Sequence, residues 1–163
     1  MRKKFTSFLL LFALATVFVS AQTRVDVSDD ITSNTLWTSD NYYVLNGFIF
    51  VEENATLTIE PGTVIYGEEG SDVNASALIV KRGGKINAVG TSDNPIVFTS
   101  ILAKDNTLNE LDRGLWGGLI LLGEGPHNNI SNDNTIEGVP SEENAFYGGD
   151  DSFDNSGRLR FVS

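Results

Sequence analysis

Residues 77–100, ALIVKRGGKINAVGTSDNPIVFTS, constrain the fold more than any other stretch. They hold three short apolar runs, at 78–80, 85–88 and 96–99. Gly83-Gly84, Gly90 and Asp93-Asn94-Pro95 separate or bound these runs. Each run is too short for a helix and is rich in Ile and Val, so the stretch reads as strand–turn–strand–turn–strand. Three strands of this kind make one full coil of a β-solenoid.

Residues 47–67 repeat the layout, with runs at 48–51, 56–59 and 63–66. Pro61-Gly62 suits the centre of a type II turn, because Pro fixes φ near −65° and Gly accepts the positive φ that follows. In Thr56-Leu57-Thr58-Ile59 the alternation is strict, which puts Leu57 and Ile59 on the core face. The corresponding inward set in the next coil is Leu78, Val80, Ile86, Ala88, Ile96 and Phe98. First runs at Phe48 and Leu78 are followed by comparable runs starting at Leu119 and Leu159. The lengthening steps are read as coils with loops inserted at the corners, at 68–75, 101–113, 123–134 and 139–157. Solenoids tolerate such insertions because each coil contacts only its neighbours. An antiparallel sandwich is the competing architecture. It would need tight hairpins, and Asn46-Gly47 is the one Asn-Gly pair here, with no good strand pair to join.

The segment before the first coil divides in two. Residues 1–21 carry a basic start (Arg2, Lys3, Lys4), an apolar stretch at 8–19 and the small-residue exit Val19-Ser20-Ala21. This is the pattern of an export signal cleaved before Gln22. The apolar stretch is shorter than the ~20 residues a spanning helix needs. No cysteine follows, so a lipoprotein anchor is excluded. Residues 22–46 are polar and mixed, and are expected to form an N-terminal cap, with an edge strand around Val25-Asp26-Val27. Trp37, Tyr42 and Tyr43 would then cover the open end of the first coil. The same aromatics are the ordinary residues of a sugar-stacking platform, which is the functional alternative. Residues 47–163 form the coils.

Charge and composition narrow the function. Without Arg2, Lys3 and Lys4, eight basic residues stand against 22 acidic ones, a formal charge of −14. That argues against nucleic acid as a partner, which needs clustered Lys and Arg. With no cysteine, disulfides, thiolate metal sites and thiol nucleophiles are excluded.

Taken in order, ATLTIEPGTVIYG (55–67), ALIVKRGGKINAVGTSDNPIVFTS (77–100), GLWGGLILLGEGP (114–126), NTIEGVP (134–140) and YGGDDSFDNSGRLRFV (147–162) resemble a family of secreted right-handed parallel β-helix proteins. That family is common in marine and gut bacteria of the Bacteroidetes group. The resemblance spans roughly residues 31–162. It implies an exported protein of a Gram-negative cell surface or outer membrane, and longer relatives that end in a type IX secretion sorting domain. It also implies that this chain is an N-terminal part or an unusually short member. No reaction is implied.

The densest candidate for chemistry is 148–157, GGDDSFDNSG. Asp150, Asp151 and Asp154 are the expected ligands if Ca²⁺ binds, since it prefers six to eight oxygens. Asp150, Ser152, Asp154 and Ser156 alternate as in an EF-hand loop. The loop glycine is out of place, however, and Phe161 stands where the bidentate acid belongs. Asp72 or Glu142-Glu143 would have to complete a site. The bland reading is a solvated corner loop, because Asp, Asn, Ser and Gly are what turns need. Lyase chemistry would need a basic residue from Lys81, Arg82, Lys85, Arg158 or Arg160. Lys81-Arg82 beside Gly83-Gly84 reads equally as a solvated turn. His127 is the only histidine, and a lone loop histidine is more often a surface residue than a base. Trp116 is expected to pack under the 101–113 loop. No catalytic residue is assigned. The expected function is a non-catalytic structural or adhesion protein whose partner is a surface polysaccharide or another protein, with self-association through the last strand as a further expectation. The alternative is a carbohydrate-binding or polysaccharide-lyase-like protein using Ca²⁺.

Overall fold

The computed structural model describes residues 21–128, 134–140 and 145–163; the expected export signal lies almost wholly outside them. Among the described residues the chain forms thirteen short strands and two single-turn 3₁₀ segments. Three parallel sheets wrap around one core. Sheet 1 contains β1 (Thr23–Val27), β3 (Asn41–Leu45), β6 (Val64–Gly67) and β9 (Val97–Ser100). Sheet 2 contains β4 (Phe48–Val51), β7 (Ala77–Val80) and β10 (Gly118–Leu121). Sheet 3 contains β2 (Thr35–Trp37), β5 (Thr56–Ile59), β8 (Lys85–Val89) and β13 (Gly157–Arg160). The chain visits the sheets in rotation, which is a parallel β-helix. Asn46-Gly47 turns the corner between β3 and β4, which lie in different sheets, so the sandwich hairpin does not form.

The corners are built as the turn residues dictate. At Pro61-Gly62 the Gly has φ +85°, and Thr63 N–H donates to the Glu60 carbonyl at 3.3 Å. That is the type II geometry the dipeptide favours. The inward residues stack in register. Leu57 faces Ile86, and Ile59 faces Ala88. Leu57, Ile59, Leu78, Val80, Ile86, Ala88 and Ile96 are all buried in one cluster, with Phe98 packed against it.

Residues 22–46 differ from the cap expected of them. Each residue of β1 pairs with one of β3, Ile31 bridges to Val51, and β2 pairs with β5. The segment is therefore a further coil of the same helix: β1 joins sheet 1, the Ile31 bridge meets sheet 2, and β2 joins sheet 3, before β3 starts the next coil. Trp37 and Tyr43 lie inside it. Their rings stack at 4.5 Å, and the Tyr43 hydroxyl accepts from Thr38 N–H at 2.8 Å. Buried rings are closed to a sugar face. Tyr42 alone of the three points outward, edge-on to Tyr66 at 5.7 Å and with the Lys104 ammonium 4.9 Å over its ring.

Burial pushes the Tyr66 hydroxyl above the usual tyrosine value of 10, with smaller contributions from Tyr42 and Asp105. The folded chain therefore holds this proton more tightly than the unfolded chain. That contribution is complete below pH 10 and is lost as the pH rises through the raised value. Alkaline titration is expected to lower the melting temperature, and Tyr66→Phe should shrink this dependence. An unchanged alkaline profile in Tyr66→Phe would show that other groups carry it.

The spacing from Leu119 to Leu159 has a different meaning from the one expected. Leu119 pairs with Leu78 in sheet 2, as its spacing suggests. Leu159 pairs with Ala88 in sheet 3. It is one strand further along the chain, and no coil intervenes. The described residues within 122–156 belong to an excursion inserted between β10 and β13. It carries a two-stranded antiparallel ribbon, β11 (Asn134–Thr135) with β12 (Phe146–Tyr147). The base of the excursion is tied across by Gly148 N–H to the Gly123 carbonyl at 2.7 Å and Asp151 N–H to the Glu124 carbonyl at 3.1 Å.

The excursion lies over the outer face of sheet 2. Phe50, Ala77, Ile79, Leu122 and Ala145 form a second buried cluster there. Phe48, Ile120, Ile136, Val139 and Tyr147 flank it. Sheet 2 is thus covered on both faces, and every residue of β7 is buried.

Candidate functional site

Three successive strands of sheet 2 end at the same corner, and each is followed by charge. Glu52 and Glu53 follow β4, Lys81 and Arg82 follow β7, and Glu124 follows β10. With Phe146 of β12 they line a polar groove of about 620 Å³. The stacking of coils brings these residues together from distant parts of the sequence.

Inside the groove both cations are engaged. Lys81 Nζ meets Glu52 Oε1 at 2.7 Å and lies 4.4 Å over the Phe50 ring. Its side chain is 17% exposed. Arg82 donates to the Gly148 carbonyl at 3.0 Å, and its guanidinium lies 5.6 Å over the Phe146 ring. Arg82 thereby fastens the excursion to the coil beneath. Gly83 has φ +73°, and a Cβ there would meet Glu53 Cγ at 2.7 Å. Its absent side chain lets Glu53 fold over the turn. Lys81 and Arg82 are thus fastening residues as well as turn residues, and the strap that Arg82 holds has no signature in residue spacing.

The acidic loop lies at the excursion's return. Asp150 is exposed. Asp151 accepts from Phe153 N–H at 2.8 Å, and Asp154 accepts from the Ser156 hydroxyl at 3.2 Å. A Cβ on Gly123 would meet Asp154 Oδ2 at 2.6 Å, so this carboxylate is seated on the base of the excursion. Among the described residues no three His, Asp or Glu side chains converge as a metal-ligating group, and Asp150, Asp151 and Asp154 do not either. Asp72 caps nothing in this loop. It starts a 3₁₀ turn in another corner, and Glu142-Glu143 lie outside the described residues.

His127 sits in the excursion, T-shaped against Tyr147 at 5.9 Å and 3.2 Å from the Asn134 amide. It helps to line an apolar recess of about 440 Å³ between β10 and the ribbon. Trp116 stacks parallel to Phe98 at 6.5 Å between ring centres. A Cβ on Gly67 would meet its ring at 2.8 Å, and it shares a recess with Leu108, Asn109, Asp112 and Arg113 of the 101–113 loop.

Residues 29–163 match the family model described as a pectate-lyase-like β-helix domain. The chain belongs to this family. The match begins near Ile31, the first bridge to sheet 2, and runs through all three sheets. A search of curated proteins and a search of solved structures each return no match. Family membership carries the fold, and a reaction must come from the residues. No helix among the described residues is long and apolar enough to cross a membrane.

Proposed function

We propose that this chain is an exported, non-catalytic β-helix that acts as a structural or adhesion scaffold at the cell surface or in secreted form. One observation carries the reading. The groove that offers both acids and bases, as a lyase would require, has its two cations committed to holding the fold. A general base must reach a substrate proton at roughly 2.6–3.2 Å. Lys81 faces Glu52 and Phe50, and Arg82 faces the Gly148 carbonyl and Phe146.

Two measurements test this. Incubation with pectin and with alginate should produce no unsaturated-uronate absorbance; its appearance would overturn the non-catalytic reading. Lys81→Met and Arg82→Met should each cost about 1 kcal/mol, since a partly buried charge-assisted contact contributes about that much or somewhat more. For a chain of this size that lowers the melting temperature by roughly 2–4 °C. Unchanged melting in both variants would mean that the cations are held for something other than the fold.

A second reading, binding of an acidic saccharide without cleavage, draws on the family's description. Its Ca²⁺-dependent form would use Asp150, Asp151 and Asp154, and it must compete with the turn contacts that Asp151 and Asp154 already make.

A further inference from the structure

The outer face of sheet 3 stands apart from the rest of this acidic chain. Alternation along the strands points Thr56 and Thr58 of β5, Lys85 and Asn87 of β8, and Arg158 and Arg160 of β13 away from the core. Three of the eight cations left after the export signal therefore share one flat face. Between β8 and β13 lies a recess of about 230 Å³. Thr56, Lys85, Asn87, Asn155 and Arg158 surround it, over a floor of Ile86 and Gly157. Among the described residues no carboxylate lines this recess, and neither Lys85 nor Arg158 forms an ion pair.

Next to the recess stands its opposite. Phe153 is 92% exposed, the most exposed large apolar side chain among the described residues. Asp150, Asp151 and Asp154 flank it along the chain. The turn that presents it is tied at both ends: Phe153 N–H donates to Asp151 Oδ1, Asp154 N–H to the Asp151 carbonyl at 3.2 Å, and Gly157 N–H to Asn155 Oδ1 at 2.9 Å. An aromatic ring held in place before contact loses little entropy on docking. Aromatic and Arg side chains are also the commonest anchors of protein interfaces.

We propose that a second copy of this chain docks here, with the Phe153 knob of each copy seated in the Lys85–Arg158 recess of the other. Charge complementarity selects this occupant, because the knob is flanked by acids and the recess by unpaired cations. Adjacency selects the symmetry. Asn155 and Gly157 belong both to the knob's loop and to the recess wall, so a two-fold axis can satisfy both contacts at once. The guanidinium of Arg158 supplies a face on which the Phe153 ring stacks. This surface is the outer face of sheet 3, not the hydrogen-bonding edge of β13, and goes beyond the scaffold reading.

Analytical ultracentrifugation of the purified chain over a concentration series tests it. The expected result is a monomer–dimer equilibrium that weakens from 0.05 to 0.5 M salt, because screening shortens the reach of the charge contacts. Phe153→Ala should weaken dimerisation at least about tenfold, in the range of an interface anchor. Lys85→Glu with Arg158→Glu should abolish it, and adding Asp150→Lys to that pair should restore part of it. All these side chains are exposed, so melting curves should match the parent and a folding defect can be told apart. A monomer at every concentration would overturn the proposal, as would a dimer indifferent to Phe153→Ala. So would a charge-reversed variant that loses affinity for polygalacturonate or dextran sulfate while its self-association stays unchanged. That result would assign the recess to a free polyanion.

Discussion

Leu57→Asp is expected to leave the chain without a cooperative thermal transition. Leu57 is fully buried, between Thr35 of β2 and Ile86 of β8 in sheet 3. A carboxylate there has no water and no partner, and burying an unpaired charge costs several kcal/mol after the group neutralises or the structure relaxes. The whole stability of a domain this size is on the order of 5–15 kcal/mol. Coils make the damage worse, because each apolar layer is shared with the coils on both sides. Ile86→Asp, one coil on and equally buried, should behave the same way. Circular dichroism melting checks both. A soluble variant with a sharp transition would show that these side chains do not face the core.

Ile79→Ala gives the second large effect, and it tests the outer cluster. Ile79 points away from the helix interior, where a solenoid strand would ordinarily meet water. Here it is fully buried under the excursion with Phe50, Leu122 and Ala145. Large-to-small changes at such sites cost about 2–5 kcal/mol. If the excursion were a loosely attached corner loop, the same change would cost a few tenths. Chemical denaturation separates the two, since a loss under about 0.5 kcal/mol would mean that the outer cluster does not support the fold.

The contrast between these two sites shows what could be read in the sequence. TLTI and KINAV alternate, so their inward residues were legible from period two alone. The turns were legible because Pro61-Gly62 and Gly83-Gly84 are chemically suited to them. The outer cluster left a signal that points the other way: FIFV and ALIV are apolar at every position. A strand without alternation is one covered on both faces. Taking 119–122 with them would have marked sheet 2 as the covered one.

Leu159 sits in sheet 3, not in sheet 2 as its spacing suggests, for a physical reason. The distance along a chain cannot distinguish a coil from a single strand preceded by an insertion, because an excursion of any length returns to the next strand position. Residues 22–46 look like a cap in sequence because Trp37 and Tyr43, which fill a coil's interior, are the same residues that a lid would use. The groove and the recess arise from register between coils, which residue spacing does not reveal. The cations that line them were visible, but their partners, Gly148, Glu52 and Phe146, are brought near only by the fold.

The excursion also sets the order in which the chain can assemble. Leu57 meets Ile86 across 29 residues, whereas Gly157 meets Ile86 across 71. Closing the longer loop costs about 0.8 kcal/mol more by the logarithmic law for flexible chains. The excursion that fills this gap packs over sheet 2. The early coils can zip one upon another, each on a template already made. Among the pairings between coils, β13 on β8 spans the widest gap in sequence, so this contact is a long-range clasp laid across the spiral.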